Sequence, residues 1–320
     1  MTLLRRAARA WIVFVLALVA VQSLAPQRSG PLALTEVLEP LIVLTAIAAA
    51  PLALVRPDRL GLTVIGALVV AVLVRYGPGF APQIGAPISP RLTVTTWNVE
   101  AGENGGQRVL EGLSADDDDL VALEELQPSM AQAVTSDSRL VGIYPFHALA
   151  PDSSVLGVGL LSRYPIVEQF SSSDPPYLRA VVDLPTGRTA VFVVHPLPGR
   201  FQTVLHVPIG LDTSTRDTSI ATIRAAIDAD LASGLPTLVM GDSNTTPREP
   251  AYAQLSAGLL DARAAGSWPG VTWRWGPFKE LPFGMLRIDY AFSSPGLVPV
   301  SYSVRCTDLS DHCILSAGFR

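Results

Sequence analysis

Lysine is nearly absent: Lys279 is the only one in 320 residues. Beyond residue 90 there is also no basic run, which weighs against a protein built to grip a nucleic-acid backbone, since such proteins show a basic face. Cysteine is limited to Cys306 and Cys313, and no CxxC or Cys/His ligand spacing exists, which argues against a zinc site. No Ser or Cys stands in a nucleophile motif, which disfavours acyl-enzyme chemistry. No period of about 20 to 50 residues recurs, so the chain is not a solenoid. The acidic run Asp116–Asp119 lacks the alternating oxygen ligands and glycine of a calcium loop and reads as a solvated turn before a strand.

What is present is divided unevenly. Residues 1–90 are mostly Ala, Leu, Val and Ile, with seven Arg against Glu36, Glu39 and Asp58, a net charge of +4. Residues 91–320 carry 16 basic and 25 acidic groups, a net of −9. Three apolar runs fill the first region, about Trp11–Leu24, Leu38–Val55 and Leu60–Val74. A spanning helix needs about 20 apolar residues. Three such runs in succession, almost free of charge and without an amphipathic face, predict transmembrane helices near 8–25, 36–55 and 59–76, followed by a Pro/Gly-rich linker at 77–90 and a domain over 91–320. Glu36 and Glu39 fall at the start of the second run and are expected at the membrane interface. Arg5, Arg6, Arg9, Arg56 and Arg59 flank the ends expected inside, while the loop between the first two runs holds only Arg28. Positive-inside bias predicts a multi-pass protein of the cell membrane with its C-terminal domain extracytoplasmic. An alternative takes Met1–Ala25 as a cleaved leader, with small residues at Ser23-Leu24-Ala25; two spans and the same outside domain would remain.

From Arg91 onward, β-rich runs alternate with helix and loop signals. Ala190–Val194 and Leu238–Met240 are continuous apolar runs, as expected of strands buried on both faces. Ile220, Ile223, Ile227 and Leu231 recur at helical spacing and predict a helix over Ser219–Ser233. Mixed strands with intervening helices imply an α/β class, with packed sheets or a sheet covered by helices. Cys306 and Cys313 bracket a short loop between two strands, and an outside location permits a disulfide there. Sequence leaves two free thiols equally open.

Chemistry-bearing residues gather at strand ends, where a sheet presents functional groups. Ser310-Asp311-His312 sets a carboxylate beside an imidazole; Gly241-Asp242-Ser243-Asn244 sets a carboxylate two residues from a carboxamide. Asn98 closes Thr95–Trp97, and Glu125 follows Leu120–Leu123. Acids, amides and imidazoles without an activated Ser or Cys point to metal-assisted hydrolysis. Each motif alone is an ordinary turn or cap. Their order is specific: Thr96-Trp97-Asn98, Leu123-Glu124-Glu125, Leu161–Ile166, His195-Pro196, Gly241–Asn244, Arg287–Tyr290 and Ser310–His312. In that order the chain resembles the endonuclease/exonuclease/phosphatase superfamily from about residue 92 to its C-terminus.

The resemblance implies a four-layered α/β sandwich of two mixed sheets with outer helices and a site at one sheet edge. It implies a hydrolase of phosphodiester or phosphomonoester bonds that uses Mg²⁺ or Mn²⁺. Glu125 matches the metal-binding Glu, Asn98 the Asn that helps hold metal or phosphate, and Asp311 the acid beside the metal. His195 matches a phosphate-contacting His, Asp242 the water-orienting acid and Asn244 its companion, while Asp289 and His312 match an Asp–His pair. Glu124 stands where the family often has Gln, and strand alternation would turn it away from the site. The segment after His195 also departs from the nucleases and is similar to membrane-anchored bacterial members. Partners implied are a phosphate-ester substrate (lipid head group, small phosphate ester or nucleic acid) and a lipid bilayer. A membrane-anchored phosphoesterase, an extracytoplasmic nuclease and a non-catalytic membrane-bound binding protein remain as readings. The acidic domain opposes the second, and the complete polar set opposes the third. Trp268, Trp273, Trp275, Phe278 and Phe283 mark a candidate substrate-side or membrane-facing loop, or ordinary core and loop aromatics.

Overall fold

A computed structural model describes residues 2–77, 89–102, 106–115, 117–266, 269–275 and 279–320. The described residues fall into two compact units. One holds the N-terminal helices together with Gly199–Ser214 and Arg248–Pro250; the other holds the remainder.

The helical unit contains α1 (Thr2–Leu24), β1 (Ser29–Gly30), α2 (Pro31–Val37), α3 (Glu39–Ala53) and α4 (Arg59–Tyr76). Ile12, Val15, Val43, Ala46, Val64 and Leu68 pack α1, α3 and α4 together, and small residues let the backbones approach. Leu4, Phe14, Ile47, Val70 and Leu73 point outward, an arrangement that suits lipid better than water. Helices α1 and α4 are long and apolar enough to cross a membrane. The middle run forms α3, which α2 precedes at a bend of 74°; the two make a third span only if counted as one. Pro40, placed at the start of α3, removes a backbone donor just after the bend. Polar residues cap both ends of the bundle. Arg9 donates to Ala53 O (3.0 Å) and to Asp58 (2.9 Å). Glu39, 1% exposed, accepts from Arg75 (2.9 and 2.6 Å) and from the Tyr76 hydroxyl (2.9 Å), and Arg248 lies over the Tyr76 ring at 4.7 Å. Thus the Glu39 carboxylate is satisfied by protein donors.

The second unit begins with β2 (Leu92–Asn98), α5 (Gly106–Ala115), β3 (Leu120–Glu124), α6 (Pro128–Ser136), α7 (Ser138–Ile143), β4 (Phe146–Ala150) and β5 (Val158–Ser162). It continues with β6 (Ile166–Ser173), β7 (Pro176–Leu184) and β8 (Gly187–Val194). The hairpin β9 (Arg200–Val204) and β10 (Val207–Asp212) intervenes and pairs with β1 in the helical unit. After it come α8 (Ser214–Ala232), β11 (Thr237–Asp242), α9 (Pro250–Leu255), β12 (Leu260–Asp261), β13 (Asp289–Ser293), β14 (Pro299–Arg305) and β15 (Ile314–Phe319).

Two six-stranded mixed sheets result, ordered β12-β13-β11-β8-β7-β6 and β14-β15-β2-β3-β5-β4. Period-two alternation sorts their side chains into layers. Val94, Leu120, Ala122 and Leu160 meet Ala180, Val191, Val193 and Met240 between the sheets. Val121, Leu123 and Trp97 face α5 to α7, and Phe192, Val239 and Tyr290 face α8 and α9. This is the four-layered sandwich the resemblance implies. Asp117 to Asp119 are engaged by protein groups: Arg163 pairs with Asp117, Thr95 with Asp118, and Thr93 N and Tyr164 donate to Asp119 (2.8 and 3.0 Å). Asp116 and nearly all of the 77–90 linker lie outside the described residues.

Candidate active site

Strands from both sheets end on one edge. Asn98 closes β2, Glu125 follows β3, His195 follows β8 and Asp242 closes β11. Because β13 runs antiparallel to β11, Asp289 at its start lies opposite Asp242. Strand β15 is antiparallel to β2 and is entered through Asp311 and His312, so these too arrive at the Asn98 end. Gly241 is required for the approach: its φ is positive, and a Cβ there would run into the Val194 carbonyl oxygen. Without it, β11 could not lie against the end of β8 and bring Asp242 to His195.

One oxygen is the hub of the site. Asp242 Oδ2 faces Asn98 Nδ2 at 3.2 Å, Asn244 Nδ2 at 3.4 Å, His195 Nε2 at 3.6 Å and His312 Nε2 at 3.6 Å. The other oxygen accepts the Asn244 backbone N–H at 2.8 Å. Asn244 adopts a left-handed backbone, which Asn tolerates, and its amide is anchored on Pro196 O at 3.0 Å. His312 Nδ1 lies 3.0 and 3.1 Å from the two Asp289 oxygens, which fixes the ring and aims Nε2 at Asp242.

Burial and charge oppose each other here. Burial resists a charged imidazole, but Asp289, Asp242 and Asp311 outweigh it, and His312 is pushed up to about 10. Asp242 is the mirror case: burial raises it, yet His312 and His195 hold it below the ordinary carboxylate range. The aspartates around the ring thus favour the protonated form of His312.

Glu124 is a correction to the alternation argument. It points between the sheets, as Leu120 and Ala122 do, and accepts from Thr96 Oγ1 at 2.9 Å. Burial, then Asp289, raises its pKa well above the usual range. Glu125 reaches the site instead because its positive φ breaks the strand pattern. Burial raises the Glu125 pKa, opposed by the Asn98 hydrogen bond at 3.1 Å.

Glu125 and Asp311 form the accessible rim, with side chains 20% and 27% exposed. Among the described residues Glu125 forms no ion pair with a Lys or Arg, and its half-buried carboxylate suits a hard divalent cation, which prefers oxygen ligands. Asn98 turns Nδ2 toward Glu125 and Asp242 while Oδ1 accepts from Glu100 N (3.0 Å), so as placed it orders carboxylates. Asp242, Asp289 and His312 also bring potential ligand atoms within 4.8 Å of one another. There, however, His312 Nδ1 is already turned to Asp289, which leaves the rim as the better place for a divalent cation.

Further residues complete the site, of which the sequence marks Trp273 and Ser310 only as parts of a candidate loop and a motif, and Arg274, Glu100, Lys279 and Arg216 not at all as site residues. Trp273 Nε1 donates to Asp311 Oδ2 (3.0 Å), and Arg274 holds the carbonyls of Thr307 and Ser310. Ser310 Oγ donates to Asn98 O (2.7 Å) and accepts from His312 N (3.0 Å). Glu100 pairs with Lys279 (2.6 Å) and accepts from Asp311 N (3.2 Å). Arg216 supports Asn244 through its carbonyl (2.7 Å). The aromatic run 268–283 and the Ser310–His312 motif are the sequence signals that touch any of these. Within the aromatic run Trp275 and Phe283 are exposed, while Trp268 and Phe278 lie outside the described residues. Cys306 and Cys313 are joined by a disulfide beyond the Arg305–Ile314 pair, closing the loop that carries Asp311 and His312.

The profile of the Endonuclease/Exonuclease/phosphatase family matches residues 95–312. The chain belongs to this family. Its members hydrolyse phosphate esters. No curated protein matches the chain. Solved structures match over the sandwich. D. rerio TDP2 complexed with single strand DNA product is 17% identical, covering 72% of this chain and 98% of that one, with a TM-score of 0.56. A mannosyl-6-phosphatase from Bacteroides thetaiotaomicron is 15% identical, covering 72% and 99%, with a TM-score of 0.53. A mutant beta toxin from Staphylococcus aureus with bound magnesium ions is 14% identical, covering 72% and 100%, with a TM-score of 0.53. At these identities the likeness bears on the fold.

Proposed function

We propose that this family member is a membrane-anchored phosphoesterase, dependent on Mg²⁺ or Mn²⁺, whose 91–320 domain works outside the cytoplasm. The observation that carries the chemistry is Asp242 Oδ2, one ionised oxygen surrounded by four nitrogen donors. Asp242 orients a water and accepts its proton as the water attacks phosphorus. The P–O bond to the alcohol breaks, and the alcohol leaves, protonated from solvent. The positive His312, held by Asp289, faces the charge that grows on the phosphate oxygens, and His195 and Asn244 add hydrogen bonds there. Glu125 and Asp311 would hold the divalent cation, which when bound neutralises phosphate charge as a Lewis acid. Asn98 keeps Glu125 and Asp242 in register.

Outward-facing apolar side chains on α1 and α4 support the membrane anchor. The arginine bias and the Cys306–Cys313 bridge support an outside, oxidising location. Phosphate esters of lipid head groups or small molecules fit the acidic domain better than nucleic acid does. The test is hydrolysis by the full chain in detergent micelles, titrated with Mg²⁺ and Mn²⁺, against plasmid DNA, sphingomyelin, phosphatidylinositol phosphates and nucleotides. Turnover by the wild type should require metal, and Glu125→Ala should need a higher metal concentration and recover only part of the rate. An active Glu125→Ala protein with unchanged metal dependence would remove Glu125 from the metal site.

A further inference from the structure

The β9–β10 hairpin is apolar where a water-exposed hairpin is normally polar. Phe201, Val204, Val207 and Ile209 are exposed, and Leu205 at the tip is 90% exposed. The register puts these residues on both faces: Val204 pairs with Val207 on one, and Phe201, paired with the buried Leu211, lies on the other. The turn is Leu205-His206, both with positive φ, where Asn and Gly are the usual residues. A bulky apolar residue therefore occupies a strained position at the most exposed point. Between Phe201 and Leu211 there is no charged side chain, and no acid occurs until Asp212.

The base of the hairpin is tied to the helical unit. Ser29 and Gly30, a few residues past the end of α1, pair with Asp212 and Leu211. Thr213 N donates to Arg28 O (2.8 Å), and Gln202 donates to Ser29 Oγ (3.0 Å). All these residues lie within one compact unit with α1, α3 and α4. A protein partner would cover one face of a hairpin. Apolar residues on both faces and at the tip require a medium that surrounds it, and a headgroup–acyl boundary does so without needing a complementary shape.

We propose that the β9–β10 hairpin inserts its Val204–Ile209 tip into the lipid boundary next to the end of α1, as an additional membrane-binding element. This rests on the reading that α1 and α4 lie in a bilayer.

The experiment uses the full chain reconstituted in vesicles of phosphatidylcholine and phosphatidylglycerol. Because Cys306 and Cys313 are bridged, Leu205→Cys and, separately, Val70→Cys on α4 each give one free thiol for an environment-sensitive fluorophore. The probe at 205 should emit further to the blue than in denaturant. It should be quenched by nitroxide lipids, most strongly by those labelled near the head group, and be shielded from aqueous iodide. The probe at 70 should also be quenched by nitroxide lipids. If 70 reads lipid while 205 is quenched by iodide alone, the proposal fails and the membrane anchor stands. Shielding of 205 from both quenchers would mean that protein covers the tip, which also overturns it. If the probe at 70 reads water, the membrane reading fails and the proposal goes with it.

Discussion

Asp261, partly buried, and Asp289, fully buried, are carboxylates on paired strands of one sheet, β12 and β13, yet they have different partners. Asp261 accepts from Arg287 (2.8 Å to Oδ2, with a second bond to Oδ1), from Tyr252 (2.7 Å) and from Arg263 N (2.9 Å). Burial pushes its pKa up, but Arg287 and Tyr252 more than reverse this, and it stays below the ordinary range. Asp289 instead faces His312 at 3.0 Å, and burial raises its pKa. A guanidinium does not release its proton, so the first pair is fixed and serves the fold. Asp289 instead favours the charged form of an imidazole, the form that the proposed role of His312 uses. The motif Arg287-Ile288-Asp289-Tyr290 contains one partner of each pair two residues apart.

The largest effect is expected on the chemical side. Asp242→Asn keeps the shape of the hub but removes its charge, and turnover should fall by about 10²–10⁴-fold with the melting temperature nearly unchanged. A comparable fall in stability would instead make Asp242 a structural group.

Arg287→Ala should divide the two pairs the other way. It leaves the Asp261 carboxylate, mostly withdrawn from water, without its cation and should cost about 3–5 kcal/mol in denaturant unfolding, with the turnover of the folded fraction preserved. The sign of the pH dependence follows. The depressed Asp261 pKa gives stability that is present above the unfolded aspartate value of about 4 and is lost as pH falls through the lower folded value. Asp261→Asn should flatten that acid limb, and an unchanged limb would assign it to other carboxylates.

The smallest expected effect is that of Asp289→Asn. If Asp289 orients the ring, its turnover loss should be smaller than that of His312→Ala, measured on the same substrate. An equal loss would make the pair a single unit.

Strands buried on both faces were legible, because Ala190–Val194 and Leu238–Met240 are unbroken apolar runs within β8 and β11. Two edge strands were not. β6 (Ile166–Ser173) is largely exposed and carries no apolar alternation, and β4 starts at Phe146 within a segment that reads as a loop. The hairpin β9–β10 gave no signal because its apolar residues answer no core. At the site, the residue types and their order indicated which side chains matter. They could not show that Glu125 enters through a left-handed backbone turn while Glu124 turns inward, since a single positive φ reverses the alternation. Arg274, and the roles of Trp273 and Ser310, were hidden for another reason: they act by holding the Asp311–His312 loop, and no local spacing encodes contacts across so much sequence.

The central claim is that a charged His312, held by Asp289 and facing Asp242, acts on a phosphate ester. The most direct measurement is magnesium-supported turnover by the full chain in detergent, wild type against His312→Ala, with melting temperatures measured alongside. The expected result is a loss of about 10²–10⁴-fold in an otherwise folded protein. Near-native turnover by His312→Ala, on any substrate that the wild type hydrolyses, would contradict it.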